Sequence, residues 1–162
     1  MFGFTAKITK KRIFCAVTIL LLPTLIFAAV KISADKSAAT EIYLKSTAER
    51  IAYLNNFGWQ LDESSETEKS SAIPAEFDDV YKSYNEIQKA QGFDLSEYAG
   101  KSVKIYTIKV LNYPENSEYV YATLILYENK LIGGDIHSTA LDGFMHGFDL
   151  SGTGLKFDNT SA

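Results

Sequence analysis

The two histidines of the chain, His137 and His146, lie nine residues apart, with Asp135, Asp142 and Asp149 among and beside them. Neutral imidazole and carboxylate oxygen are the usual ligands of zinc and similar ions. On an extended strand Asp135-x-His137 puts both side chains on one face. Asp135, His137, Asp142 and His146 therefore form a candidate metal set, and they underlie one reading of the chain as a metal-dependent envelope enzyme. The set has no HExxH-type spacing. In the competing reading His137 ends an edge strand, His146 decorates a surface loop and Asp142-Gly143 makes a turn. The expectation is no metal site and no cofactor.

Other groups point less directly to chemistry. Ser138 and Thr139 follow His137, but neighbours on an extended chain point apart, so they make no nucleophile and base. Gly133-Gly134 lacks the third glycine and following helix of a phosphate loop, and the chain has neither a Walker pattern nor a nucleophile elbow. A close backbone approach or a β-bulge explains that pair better. Asp78-Asp79 stand at a helix start, where capping accounts for them. No catalytic residue is assigned. The favoured binding surface is a set of tyrosines, Tyr119, Tyr121 and Tyr127 with Tyr106 as a further candidate, because aromatic rings offer contact area with a polar handle to a peptide, a glycan or an envelope protein.

These side chains need a scaffold, and the chain's 162 residues, 46% apolar and 13% aromatic, allow one ordinary domain with appendages. The net charge of −4 conceals an asymmetry. Residues 1–30 carry Lys7, Lys10, Lys11 and Arg12 and no acid, so 12 basic and 20 acidic residues remain for residues 31–162, a balance of −8. Such a domain is repelled by phosphate backbones, so nucleic acid is not expected as a partner.

Residues 1–12 read as a basic cytoplasmic stub. Ile13 to Val30 is a charge-free apolar run of 18 residues, which as a helix spans roughly 27 Å, about one bilayer core. The basic residues before it place the remainder outside the cytoplasm. No clean Ala-x-Ala cleavage site follows, so a single-pass signal anchor in the cell membrane is expected, with a secreted protein as the outcome if the run is cleaved. Cys15, the only cysteine, sits inside the run, which leaves the outer part without disulfides or thiol chemistry.

Outside the membrane, residues 31–45 read as a spacer, 46–150 as the folded domain and 151–162, rich in Gly, Ser and Thr, as a disordered tail. Ser46-Thr47-Ala48-Glu49 fits a capping box that opens a helix over about 47–56, stopped by Gly58. Trp59 to Leu61 suits a short strand, and Asp62 to Ser71 is so polar that it reads as an exposed loop. Pro74 opens a second helix with Lys89 in its last turn and Gly92 just past its end, and with Phe77, Val80, Tyr81, Tyr84 and Ile87 as its apolar stripe. Asp94 to Tyr98 suits a single turn ending at Gly100. Val103 to Leu111, Val120 to Tyr127 and Leu131 to His137 are β-rich runs, joined through Pro114–Ser117 and Glu128–Lys130. The expected fold is α+β: two helices packed on one face of a three- to four-stranded antiparallel sheet. On its middle strand Val120, Ala122, Leu124 and Leu126 face the helices, and the face bearing Tyr119, Tyr121, Thr123 and Tyr127 is open.

Several short motifs recur together: Gly58-Trp59, Ile73-Pro74-x-x-Phe77, Tyr84-Asn85, Gln91-Gly92-Phe93-Asp94-Leu95, Tyr98-x-Gly100, Asn112-Tyr113-Pro114, Ile132-Gly133-Gly134-Asp135 and Asp142-Gly143-Phe144-Met145. In this set residues 47–149 resemble domain of unknown function 4830, a family of exported proteins of Gram-positive bacteria. The resemblance implies a membrane segment followed by one small outer domain, and it brings no activity, substrate or catalytic residue. Glu128 to Gly134 is also similar to the closing hairpin of PepSY-type modules. The function expected on these grounds is a non-catalytic binding or regulatory module at the cell envelope, acting through the tyrosine face or by pairing at a sheet edge. A structural subunit of a membrane assembly is a third reading.

Overall fold

The computed structural model describes residues 41–114 and 118–157. The basic stub, the apolar run with Cys15, the spacer up to Thr40, the reversal at 115–117 and residues 158–162 lie outside the described residues. Among the described residues no helix is long and apolar enough to cross a membrane.

Helix α1 (Thr47–Asn55) starts at the expected capping box: the Ser46 hydroxyl accepts from the Glu49 amide, and the Glu49 carboxylate accepts from the Ser46 amide at 3.0 Å. Gly58 follows with φ 91°, the left-handed geometry that a glycine adopts without steric cost. Helix α2 (Asp79–Ala90) begins five residues later than Pro74 suggests, because Asp78 caps it and accepts from the Tyr81 amide at 2.7 Å. Val80 consequently points to solvent instead of joining the apolar stripe. A 3-10 turn, Leu95–Tyr98, comes next, capped by Asp94.

Five strands follow one another in space in chain order and are all antiparallel: β1 (Leu61–Ala72), β2 (Ser102–Val110), β3 (Val120–Tyr127), β4 (Lys130–Ser138) and β5 (Met145–His146). The expected three to four strands are therefore five. The polar stretch 62–71, expected as a loop, forms most of the long edge strand β1. The β3–β4 hairpin turns on Glu128 (φ 50°) and Asn129 (φ 66°), both left-handed as a two-residue hairpin loop requires.

The helices lie on opposite faces of the sheet, not on one. On the first face Tyr106 and Ile108 of β2, Leu124 and Leu126 of β3 and Ile136 of β4 pack with Leu54 of α1, Trp59 and Phe148. On the second face Val103, Ile125 and Ile132 pack with Ile73 and Leu95, flanked by Phe77, Tyr81 and Tyr84 from α2 and its approach. The sheet is thus covered on both sides, which explains the almost continuous burial of Val120 to Leu126.

Two segments expected to lie off the fold are built into it. Leu44, in the stretch read as a spacer, is buried, and its amide donates to the Asn129 carbonyl while the Leu131 amide donates to Ile42. In the stretch read as a disordered tail, Leu155 and Phe157 pack on the first face, and the Phe157 ring meets Trp59 edge-on at 4.9 Å.

Candidate functional site

Register decides which candidate residues meet. Along β3 and β4, Tyr121 stands opposite His137, Ala122 opposite Ile136 and Thr123 opposite Asp135. Asp135 and His137 therefore share the second face, where α2 reaches them. The Tyr84 hydroxyl donates to Asp135 Oδ2 at 2.6 Å, and His137 Nδ1 lies 2.7 Å from Asp135 Oδ1. Asp135 is only 2% exposed, so both carboxylate oxygens are held by partners inside the protein. Burial, reinforced by the adjacent carboxylate, raises the Tyr84 hydroxyl far above its usual range and keeps it a proton donor. With Asp135 accepting, His137 donates through Nδ1, and Nε2 is on the far side of the ring from the carboxylate. That nitrogen has no hydrogen-bond partner among the described residues, and the imidazole, 21% exposed, lies against the Tyr121 ring at 6.2 Å between centroids.

His146 goes to the other side. It pairs with Ile136 across the β4–β5 ladder, which puts it on the first face among Trp59, Tyr113 and Phe144. Its Nδ1 lies 2.7 Å from the Gly147 carbonyl and its Nε2 3.3 Å from the Tyr113 hydroxyl, while burial lowers its pKa. Asp142 is exposed in the loop between β4 and β5, and Asp149 accepts from the Ser151 amide. The four-residue metal set thus divides: Asp135 and His137 meet, His146 faces the opposite layer and Asp142 stands apart. No group of three or more His, Cys, Asp or Glu positioned for a metal occurs among the described residues. Ser138, opposite Val120, also lies on the first face, so it does not pair with His137.

The tyrosines do not form one open platform. Tyr119, 48% exposed, precedes β3. Tyr121 is half-buried beside His137, and Tyr127 is half-buried with its ring 5.4 Å from Tyr98. Tyr106 is on the first face, buried beneath Arg50, whose guanidinium carbon lies 3.7 Å from the ring centre. The face expected to be open is the one α2 covers.

Gly133 and Gly134 show why the helix can come so close. The Gly134 amide donates to Gln88 Oε1 at 2.7 Å, and its carbonyl accepts from Gln91 Nε2 at 3.0 Å. Gln91 Oε1 also accepts from the Phe148 amide at 2.7 Å. A Cβ on Gly133 would lie 2.8 Å from Gln88 Oε1, and one on Gly134 would overlap the Thr123 carbonyl and the Phe148 ring. A register shift in the β3–β4 ladder at Ile125 and Leu126 supplies the anticipated bulge as well.

The two edges of the sheet are closed to different degrees among the described residues. The outer side of β4 is closed by Ile42 to Leu44, by the amides of Gln88 and Gln91, and by β5. The outer side of β1 has no backbone partner among the described residues. Thr67 to Ser70 are all exposed there, and a register shift separates them from Asp62. The strand is held from the first face: Arg50 of α1 donates to both Glu66 oxygens at 2.7 and 2.8 Å, and Thr47 donates to the same carboxylate. Burial alone would raise the Glu66 carboxyl, but these hydrogen bonds outweigh it and hold the group below its usual range. Sequence reasoning missed this edge because an ion pair, in place of an apolar residue, turns inward at Glu66.

The family model described as Domain of unknown function (DUF4830) matches residues 53–136. The chain belongs to this family. The DUF4830 match begins within α1, contains β1, Tyr84 and Asp135, and ends one residue before His137. No curated protein and no solved structure matches the chain.

Proposed function

We propose that this DUF4830 protein is a non-catalytic binding module at the cell envelope, anchored by residues 13–30, whose β1 edge receives an extended strand from a partner protein. The observation that carries this reading is the asymmetry of the sheet edges. One edge is closed by a paired segment, two glutamine side chains and a short strand, whereas the other offers a 12-residue strand whose outer backbone has no partner among the described residues. Main-chain hydrogen bonds at such an edge supply affinity, and the exposed side chains of the strand select the partner. Asp62, Glu63, Glu68 and Lys69 with the register shift discourage indiscriminate pairing, as charged residues and bulges do on natural sheet edges. The basic residues before an 18-residue apolar run support the membrane address.

The test is photo-crosslinking in cells that express the full chain, with a photoreactive side chain at Thr67 on β1 or at Val80 on the solvent side of α2. The reading expects a discrete adduct from position 67 and none from position 80. An adduct from position 80 alone, or none from either, would refute it.

A further inference from the structure

We propose that His137 and Met145 form a binding site for a soft monovalent metal ion, Cu(I) or its analogue Ag(I). The two residues are direct partners across the β4–β5 ladder and therefore share the second face. Cross-strand neighbours have Cβ atoms about 4.5–5.5 Å apart, within reach of one bridging ion for two long side chains. Each side chain is prepared for ligation. The Asp135 carboxylate, itself oriented by Tyr84, accepts from His137 Nδ1, which leaves Nε2 as the nitrogen for a metal ion. Metal-bound histidines characteristically carry this carboxylate partner, which fixes the tautomer and ring before the ion arrives. Met145 is 47% exposed on a two-residue strand, so its thioether is not consumed by core packing. Tyr121 flanks the imidazole on the side away from β5 and leaves the side facing Met145 open to the ion.

The donor set selects the ion. Thioether sulfur with imidazole suits Cu(I), whereas zinc calls for four ligands of nitrogen, thiolate or carboxylate. Asp135 cannot supply one, because both of its oxygens are engaged by Tyr84 and His137. His146 cannot either, since it faces the opposite layer. The proposal is independent of the β1 edge, and each can fail without the other.

The experiment uses the full chain in detergent micelles with Cys15→Ser as background, since a free thiol would capture the probe. Ag(I) is titrated while isothermal calorimetry and the Met145 methyl resonance are followed. The expected result is one ion per chain, a shift of the Met145 methyl and at least tenfold weaker binding in Met145→Leu. That variant changes an exposed side chain and keeps the fold, which circular dichroism checks. His137→Gln is expected to abolish the site, and Asp135→Asn to weaken it about 10- to 100-fold. Unchanged Ag(I) affinity in Met145→Leu, or saturable Zn(II) binding tighter than Ag(I), would overturn the proposal.

Discussion

Alanine substitution at the two adjacent glycines of β4 should have very unequal effects, and the inequality tests the face assignment on which the site rests. A Cβ at Gly134 would overlap the Thr123 carbonyl oxygen on the neighbouring central strand and the Phe148 ring. Backbone in the middle of a sheet cannot move aside cheaply, so the cost should reach the upper end of the overpacking range, about 3 kcal/mol. A Cβ at Gly133 meets the far end of a flexible side chain, Gln88 Oε1 at 2.8 Å, with Leu95 Cδ2 at 3.1 Å. The amide can swing away, losing its bond to the Gly134 amide, which is worth about 1 kcal/mol. Replacing Gly by Ala returns roughly 0.4–1 kcal/mol through the unfolded state in both cases. At about 4 °C per kcal/mol for a domain of this size, Gly134→Ala should lower Tm by roughly 8–10 °C and Gly133→Ala by less than about 4 °C. Thermal unfolding of the full chain in detergent micelles, followed by circular dichroism, measures both. If Gly133→Ala were the more damaging, the faces of β4 would be exchanged, and Asp135 and His137 would lie away from Tyr84 and α2.

Three further outcomes follow from the contacts above. Glu66→Ala leaves the buried Arg50 guanidinium without its carboxylate and should cost about 3 kcal/mol in chemical unfolding, with Glu66→Gln less damaging because it still accepts a hydrogen bond. Tyr84→Phe removes one of the two donors to buried Asp135 and should cost about 1–3 kcal/mol. His146 is held neutral by burial, so the unfolded chain binds the proton more readily than the folded one. Its contribution to stability is complete above the ordinary value of 6.5 and is lost as pH falls through the lowered folded value. The difference in unfolding free energy between wild type and His146→Phe should therefore shrink as pH falls below 6.5 and level off below the folded value, and a pH-independent difference would refute the assignment.

Local chemistry was the legible part of this chain. The capping box at Ser46, the turn at Gly58, the hairpin at Glu128 and Asn129 and the runs that became β2, β3 and β4 all follow from residues adjacent in sequence. Pro74 misled because Asp78 is the better cap, its carboxylate accepting from Tyr81. β1 was hidden because an edge strand that turns Glu66 inward to an arginine has no apolar alternation to read. The burial of the tyrosine face and the separation of the histidines were not legible either. Both depend on which layer each helix enters and on the register that the 139–144 loop sets between β4 and β5, and a two-residue strand carries no period. The Asp135–His137 pair was legible from its i, i+2 spacing, whereas its Tyr84 partner 51 residues away was not. Leu155 and Phe157 were a visible signal, two large apolar residues in a Gly- and Ser-rich stretch read as a tail.

The central claim, that β1 takes a partner's strand, is tested most directly by a proline on its outer edge. The Ile73 amide donates inward to Lys101 at 2.9 Å, and the alternation of an antiparallel pair then turns the Ser70 amide outward. Ser70→Pro removes that outward donor while sparing the bonds to β2, as prolines on natural edge strands do. In the cellular photo-crosslinking assay with the probe at position 67, the account predicts loss of the adduct in a Ser70→Pro chain that melts within about 4 °C of the parent, a change of about 1 kcal/mol. An undiminished adduct from that folded variant would contradict it.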